Sequence, residues 1–188
     1  GIYINNADPN ISFALITDNT SSSGAGAYIR NNSEIDLTNV TIANNNGGLY
    51  GGGIYLRDNS TVTLLNSIMW SNSPSQVHFR SEGEEVELSI SYSIIENNQD
   101  GIETNDNGNL NWLEGNLDSE PYFCSSSTGN YFVRENSPAI DGGIDGGLVG
   151  CLSAGCGPIN LGPVWYVDSN GDNSCLLYTS DAADEQQR

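Results

Sequence analysis

Residues 53–72 read Gly53-Ile54-Tyr55-Leu56-Arg57-Asp58-Asn59-Ser60-Thr61-Val62-Thr63-Leu64-Leu65-Asn66-Ser67-Ile68-Met69-Trp70-Ser71-Asn72. Apolar and polar residues alternate over two short stretches, Ile54 to Leu56 and Val62 to Trp70, parted by Asp58-Asn59-Ser60. Alternation over so few residues signals strands with one buried face, and clustered Asp, Asn and Ser signal the turn between them. The stretch recurs. Gly1-Ile2-Tyr3-Ile4, Gly26-Ala27-Tyr28-Ile29-Arg30 and Val77-His78-Phe79-Arg80 match its opening; Ile11 to Thr17, Ile35 to Ala43 and Val86 to Glu96 match its second half. Each second half runs into an Asn, at Asn19, Asn45, Asn72 and Asn98, spaced by 26, 27 and 26 residues. Ile16, Ile42, Met69 and Ile95 each stand three residues before one of them.

A period of about 26 built from short strands and Asn/Gly turns predicts an all-β fold. It is a right-handed parallel β-helix (a solenoid) of about four to five coils, stacked like-on-like at ~4.8 Å, plus a closing segment. Alternation points Ile2, Ala27, Ile54 and Val77 inward, with Ile4, Ile29, Leu56 and Phe79. In the second stretch Ile35, Leu37, Val40 and Ile42 are inward, as are Val62, Leu64, Ser67 and Met69. An antiparallel β-sandwich also predicts alternation, but not one residue type at one position every coil. The Asn column favours stacking, because superposed Asn side chains can hydrogen-bond along a stack. A fifth, shorter coil is expected from Gly101-Ile102, and residues 110–156, with Trp112, Tyr122, Phe123, Tyr131 and Phe132, are expected to close the stack.

Composition narrows the partners. The 188 residues carry 24 acids against 5 basic residues, a net charge of −19, and all five are Arg. Nucleic acid and anionic membrane surfaces need clustered positive charge, so neither is an expected partner. No run approaches the ~20 apolar residues of a membrane-spanning helix, so membrane insertion is not expected either. The 25 Asn and 22 Gly residues require a chain that turns often. Met69 is the only Met and the chain opens mid-pattern, so the sequence reads as an excerpt of a longer protein.

The coils resemble the Gly-Gly-Gly-Ile-Tyr-Leu repeats of right-handed parallel β-helix proteins. The three pieces at residues 115–123, 129–133 and 137–141 are similar to the recurrent ending of such domains in large secreted bacterial proteins. The resemblance implies an extracellular or outer-surface location, a structural or adhesive role, and flanking β-helix domains on the same chain. It implies the pectate-lyase-like fold as well, which enzymes share. The reading therefore divides the chain into coils at 1–109, a closing segment at 110–156, a linker at 157–163 and the start of a second β-helix at 164–174. Residues 175–188, from Cys175-Leu176-Leu177-Tyr178, resemble a translated sequencing adapter and are set aside. In relatives of this kind a second Cys often stands where Ala139 is, which leaves Cys124 without that partner. Cys151 and Cys156 are open to pairing with each other in an oxidising compartment.

The outward positions of the first strand carry the candidate site. Tyr28, Tyr55 and His78 form one column with Tyr3; Arg30, Arg57 and Arg80 form the next with Asn5. Aromatic faces beside guanidinium groups suit acidic polysaccharide, whose rings stack and whose anionic groups take bidentate hydrogen bonds. Like charges stacked so closely need acids nearby, and Asp58, Glu82 and Glu84 are the candidates. The alternative is that the Arg residues only neutralise local acid on a covered sheet. Catalysis is not expected within these residues. A lyase or hydrolase needs carboxylates clustered about one sugar, and the first-strand face has no such cluster. The alternative function is a fragment of a polysaccharide lyase or hydrolase whose catalytic site lies elsewhere. No cofactor is expected. Asp168, Asn170 and Asp172 alternate like ligands of a Ca²⁺ loop but lack the late bidentate acid. Asp141 and Asp145, in a Gly-rich turn, are a weaker pair of the same kind.

Overall fold

The structure is a computed structural model that describes residues 1–158. The second β-helix start, the adapter-like tail, most of the linker and the Asp168, Asn170 and Asp172 loop lie outside the described residues.

The first coil contributes β1 (Ile2–Asn5), β2 (Asn10–Ser12) and β3 (Leu15–Thr17). The second contributes β4 (Ala27–Arg30), β5 (Glu34–Thr38) and β6 (Thr41–Ala43), and the third β7 (Ile54–Leu56), β8 (Thr61–Leu65) and β9 (Ile68–Trp70). The fourth has β10 (Val77–Phe79), β11 (Val86–Ser91) and β12 (Ile94–Ile95), and the fifth β13 (Ile102–Glu103) and β14 (Gly108–Trp112). Equivalent strands pair in parallel, giving the orders β1-β4-β7-β10-β13, β14-β11-β8-β5-β2 and β12-β9-β6-β3. The register is in phase: Ile2 lies beside Ala27, Ala27 beside Ile54, Ile54 beside Val77 and Val77 beside Ile102. This is the expected parallel β-helix, five rungs deep in two of its three sheets.

The inward residues form one continuous core that includes Ile29, Leu37, Leu56, Leu64, Met69, Phe79 and Leu88. The Asn excess is spent at the corners. Asn6, Asn32 and Asn59 follow the first strands, Asn39 and Asn66 the second, and Asp18 and Asn44 the third, all with φ between 49° and 58°. Non-Gly residues resist this left-handed backbone, and Asn and Asp resist it least. The Gly before β1, β4, β7 and β13 has a different cause. A Cβ at Gly26 would collide with the Gly53 carbonyl, and one at Gly53 with the Gln76 carbonyl, so these corners need a residue without a side chain.

Side chains stack at the corners too. Asn19 Nδ2 donates to Asn45 Oδ1 at 2.9 Å, and Asn45 Nδ2 donates to Asn72 Oδ1 at 2.9 Å. Asn98 does not continue this column. Gln76 stands where the earlier coils have Gly, and its Oε1 accepts from Asn72 Nδ2 at 2.7 Å. Asn98 lies in a short 3-10 turn and points to Asp118 instead. A Ser ladder, not anticipated, supports another corner: the Val40 amide donates to Ser67 Oγ, the Ser67 amide to Ser93 Oγ, and the Ser93 amide to Asn116 Oδ1.

The coils run past residue 109: Leu110 and Trp112 pair with Leu88 and Ile90, and Leu117 bridges Ile94. After Leu117 the chain leaves the stack. It returns along the outer face of the third sheet. Ile144 N donates to Asn66 Oδ1, Asn39 Nδ2 to the Leu148 carbonyl, and Tyr131 Oη to Asp18 Oδ2 at 2.9 Å. Outward-facing Ile68 and Ile94 thereby join Val133, Ala139 and Val149 in a second, smaller core. β15 (Phe123–Ser125), β16 (Asn130–Arg134) and β17 (Ala154–Cys156) form a sheet of their own within this returning segment. Cys124 and Cys156 are disulfide-bonded across it, so Cys156 does not pair with Cys151. The partners stand 32 residues apart, and only the return of the chain brings them together. Cys151 stays a free thiol, raised above the ordinary value by burial, with its amide donating to Thr41 Oγ1.

Candidate functional site

The first sheet turns two columns outward. Alternation puts Tyr28, Tyr55 and His78 on one line, and Arg30, Arg57 and Arg80 follow at or just beyond the strand ends. The aromatic column is continuous: ring centroids lie 5.5 Å apart for Tyr3–Tyr28, 5.1 Å for Tyr28–Tyr55 and 5.5 Å for Tyr55–His78. It is not uniformly accessible. Tyr55 is 7 % exposed and His78 6 %. The cover is Tyr50, from the loop that follows β6. Its ring stacks on Tyr55 at 5.7 Å with an interplanar angle of 19° and leans on His78 at 5.0 Å. Tyr55 and His78 therefore cannot offer a face to a ligand, and burial pushes the Tyr55 phenol above its ordinary pKa. Tyr3 and Tyr50 carry the exposed aromatic surface, 63 % and 44 % exposed, with Tyr28 half-buried between the coils. Tyr50 lies outside the repeat, so no periodic signal marked it.

His78 is fixed on both sides. Glu103 Oε2 lies 2.6 Å from Nδ1, and the Asn105 amide nitrogen lies 3.1 Å from Nε2. Asn105 Nδ2 also donates to the Phe79 carbonyl at 2.6 Å, so the imidazole is held between a carboxylate and an anchored amide.

The three Arg residues converge on one acid. Arg57 Nε lies 2.7 Å from Asp58 Oδ2, Arg30 Nη2 lies 3.5 Å from the same oxygen, and Arg80 Nη1 lies 3.3 Å from Oδ1. Asp58 is the residue that supplies the acid this column requires; no described ion pair joins the column to Glu82 or Glu84. Arg57 is the most enclosed of the three and also donates from Nη1 to Tyr28 Oη at 3.0 Å. Burial opposes its charge, but hydrogen bonds to Asp58 and Tyr28 outweigh that and hold its pKa above the ordinary value. Three guanidinium groups thus share a single paired carboxylate on a chain of net charge −19, and the Gly83 turn that carries Glu82 and Glu84 lies beside Asp58 and Arg80. About a third of the Arg30 and Arg80 side chains is exposed, 31 % and 33 %, so spare N–H donors face solvent.

Among the described residues no group of three or more His, Cys, Asp and Glu side chains is placed to hold a metal ion, and Asp141 and Asp145 belong to none.

Stacked parallel coils, an in-phase register and ladders of like residues define this as a parallel β-helix protein. The family described as "Right handed beta helix region" matches residues 1–137, and the chain belongs to that family. No curated protein and no solved structure matches the chain.

Proposed function

We propose that this is a non-catalytic β-helix segment of a secreted or surface-exposed multidomain protein, structural or adhesive in role, that contacts acidic polysaccharide through its first sheet. The observation that carries the reading is the Arg30, Arg57 and Arg80 cluster on Asp58, a cationic stripe on an acidic molecule. At physiological ionic strength charges are screened beyond ~8 Å, so an anionic group at the stripe responds to the guanidinium groups it touches more than to the net charge. Guanidinium groups on successive rungs suit carboxylate or sulfate groups repeating along an extended chain, and Tyr3 and Tyr50 beside them offer faces to sugar rings. The Cys124–Cys156 disulfide supports an oxidising compartment.

The test is retention on polygalacturonate and on heparin in affinity electrophoresis. Arg30→Ala combined with Arg57→Ala should weaken retention by ten-fold or more, because the loss of even one hydrogen bond to a charged group costs ~1.5–3 kcal/mol. Unchanged retention would remove the proposal.

A further inference from the structure

The returning segment leaves a cleft where it crosses the third sheet, on a different side of the coils from the Arg stripe. Its volume is about 360 Å³, within the range of small-ligand sites. Ala43 and the buried ring of Tyr131 form its floor, and Trp70 and Phe123, both half-buried, form apolar walls. Exposed polar groups line the rim: the Asn44 amide, the Glu120 carboxylate and the hydroxyls of Ser71, Ser126 and Ser127. The wall is built rather than incidental. Phe123 meets the Tyr131 ring edge-on at 5.1 Å, and Tyr131 Oη is anchored on Asp18. Trp70 packs against the second core, which holds its indole in place.

We infer that this cleft is a binding site for a neutral saccharide. Flat aromatic walls stack on the apolar face of a sugar ring, and closely spaced carboxylate, amide and hydroxyl groups pair with its neighbouring hydroxyls. Glu120 and the nearby Asp18 set the charge selectivity. No Arg lines the cleft, so an anionic sugar is repelled here while a neutral one is not. The site thus selects the opposite charge class from the Arg stripe and is independent of it.

The full chain is titrated with cellotetraose, mannotetraose and N-acetylated chitotetraose, followed by calorimetry and by the indole N–H resonance of Trp70. At least one of them binds and shifts that resonance. Glu120→Gln and Ser127→Ala, both on exposed side chains that leave the cores intact, each weaken binding by about five-fold, a loss of ~1 kcal/mol. Trp70→Phe weakens it further, and circular dichroism confirms that this variant stays folded. The inference is overturned if none of the three sugars binds at millimolar concentration, and equally if binding survives both rim substitutions undiminished.

Discussion

Asn45→Ala tests the side-chain ladder that fixes the coils in phase. Asn45 is 1 % exposed. Its Oδ1 accepts from the Asn19 amide at 3.0 Å and from Asn19 Nδ2 at 2.9 Å. Its Nδ2 serves the Ile16 carbonyl at 2.9 Å, the Ala43 carbonyl at 3.1 Å and Asn72 Oδ1 at 2.9 Å. Truncation removes a partner from the Asn19 amide and the Ile16 carbonyl in the coil before it and from Asn72 Oδ1 in the coil after it. An unpartnered buried polar group costs ~1–3 kcal/mol. None of the three is stranded completely: the Ile16 carbonyl lies in the parallel ladder of β3 with β6, Asn72 Oδ1 still accepts from the Asn45 amide at 3.1 Å, and the Asn19 amide is only part-buried. The sum is about 2–3 kcal/mol, a substantial share of a typical domain's stability. Urea unfolding followed by far-ultraviolet circular dichroism measures it as a lowered midpoint at constant slope. Asn98→Gly is the internal control: Asn98 has left the column and is exposed, and Gly keeps its left-handed backbone (φ 51°) without strain, so the change is ~0.5 kcal/mol or less. If Asn45→Ala costs under ~1 kcal/mol, or no more than Asn98→Gly, the ladder does not hold the coils together.

Gly53→Ala forces a Cβ into the Gln76 carbonyl and the Met69 side chain and should destabilise by about 2 kcal/mol or more, measured by the same unfolding assay. Non-reducing peptide mapping should find Cys124 linked to Cys156 and Cys151 alkylated, and Cys124→Ser should cost about 3–4 kcal/mol under oxidising conditions. The Asp18–Tyr131 contact makes stability depend on pH at both ends. Burial acts to raise the Asp18 carboxyl, but hydrogen bonds from Asn44, Tyr131 and Thr17 outweigh it and hold the pKa below the ordinary value, so its contribution is present above pH ~4 and fades as pH falls. Burial and Asp18 push Tyr131 up to about 12, so its contribution is complete below pH ~10 and is lost as pH rises through 12. Thermal melts across pH should lose the alkaline dependence in Tyr131→Phe and keep a weakened acid one, because Asn44 and Thr17 still hold Asp18.

What the sequence made legible is what repeats. The period, the inward residues, the two outward columns and the first three members of the Asn ladder all follow from alternation and from like residues at a fixed spacing. Features that break the period stayed hidden. Tyr50 covers Tyr55 and His78 from a loop, and its effect on their exposure is a tertiary fact with no counterpart in spacing. Asn98 keeps the spacing yet leaves the ladder, because Gln76 replaces Gly one coil earlier and reaches the place its side chain would take. The returning segment carries strands and aromatic residues compatible with a plug or a flank. Only Tyr131 on Asp18 and Val133 against Ile68 and Ile94 decide for the flank. The acid needed by the Arg column was narrowed to three candidates, and the choice of Asp58 required side-chain geometry.

The central claim is that acidic polysaccharide is held by the Arg stripe, and Arg side-chain nitrogen–proton correlation spectra test it most directly. The chain has five Arg residues and no Lys, so the spectrum is simple. During titration with an oligogalacturonate, the Nε–H resonances of Arg30, Arg57 and Arg80 should move together and saturate, while that of Arg134 stays still. Stationary resonances at those three residues, or a response at Arg134 alone, would contradict the account.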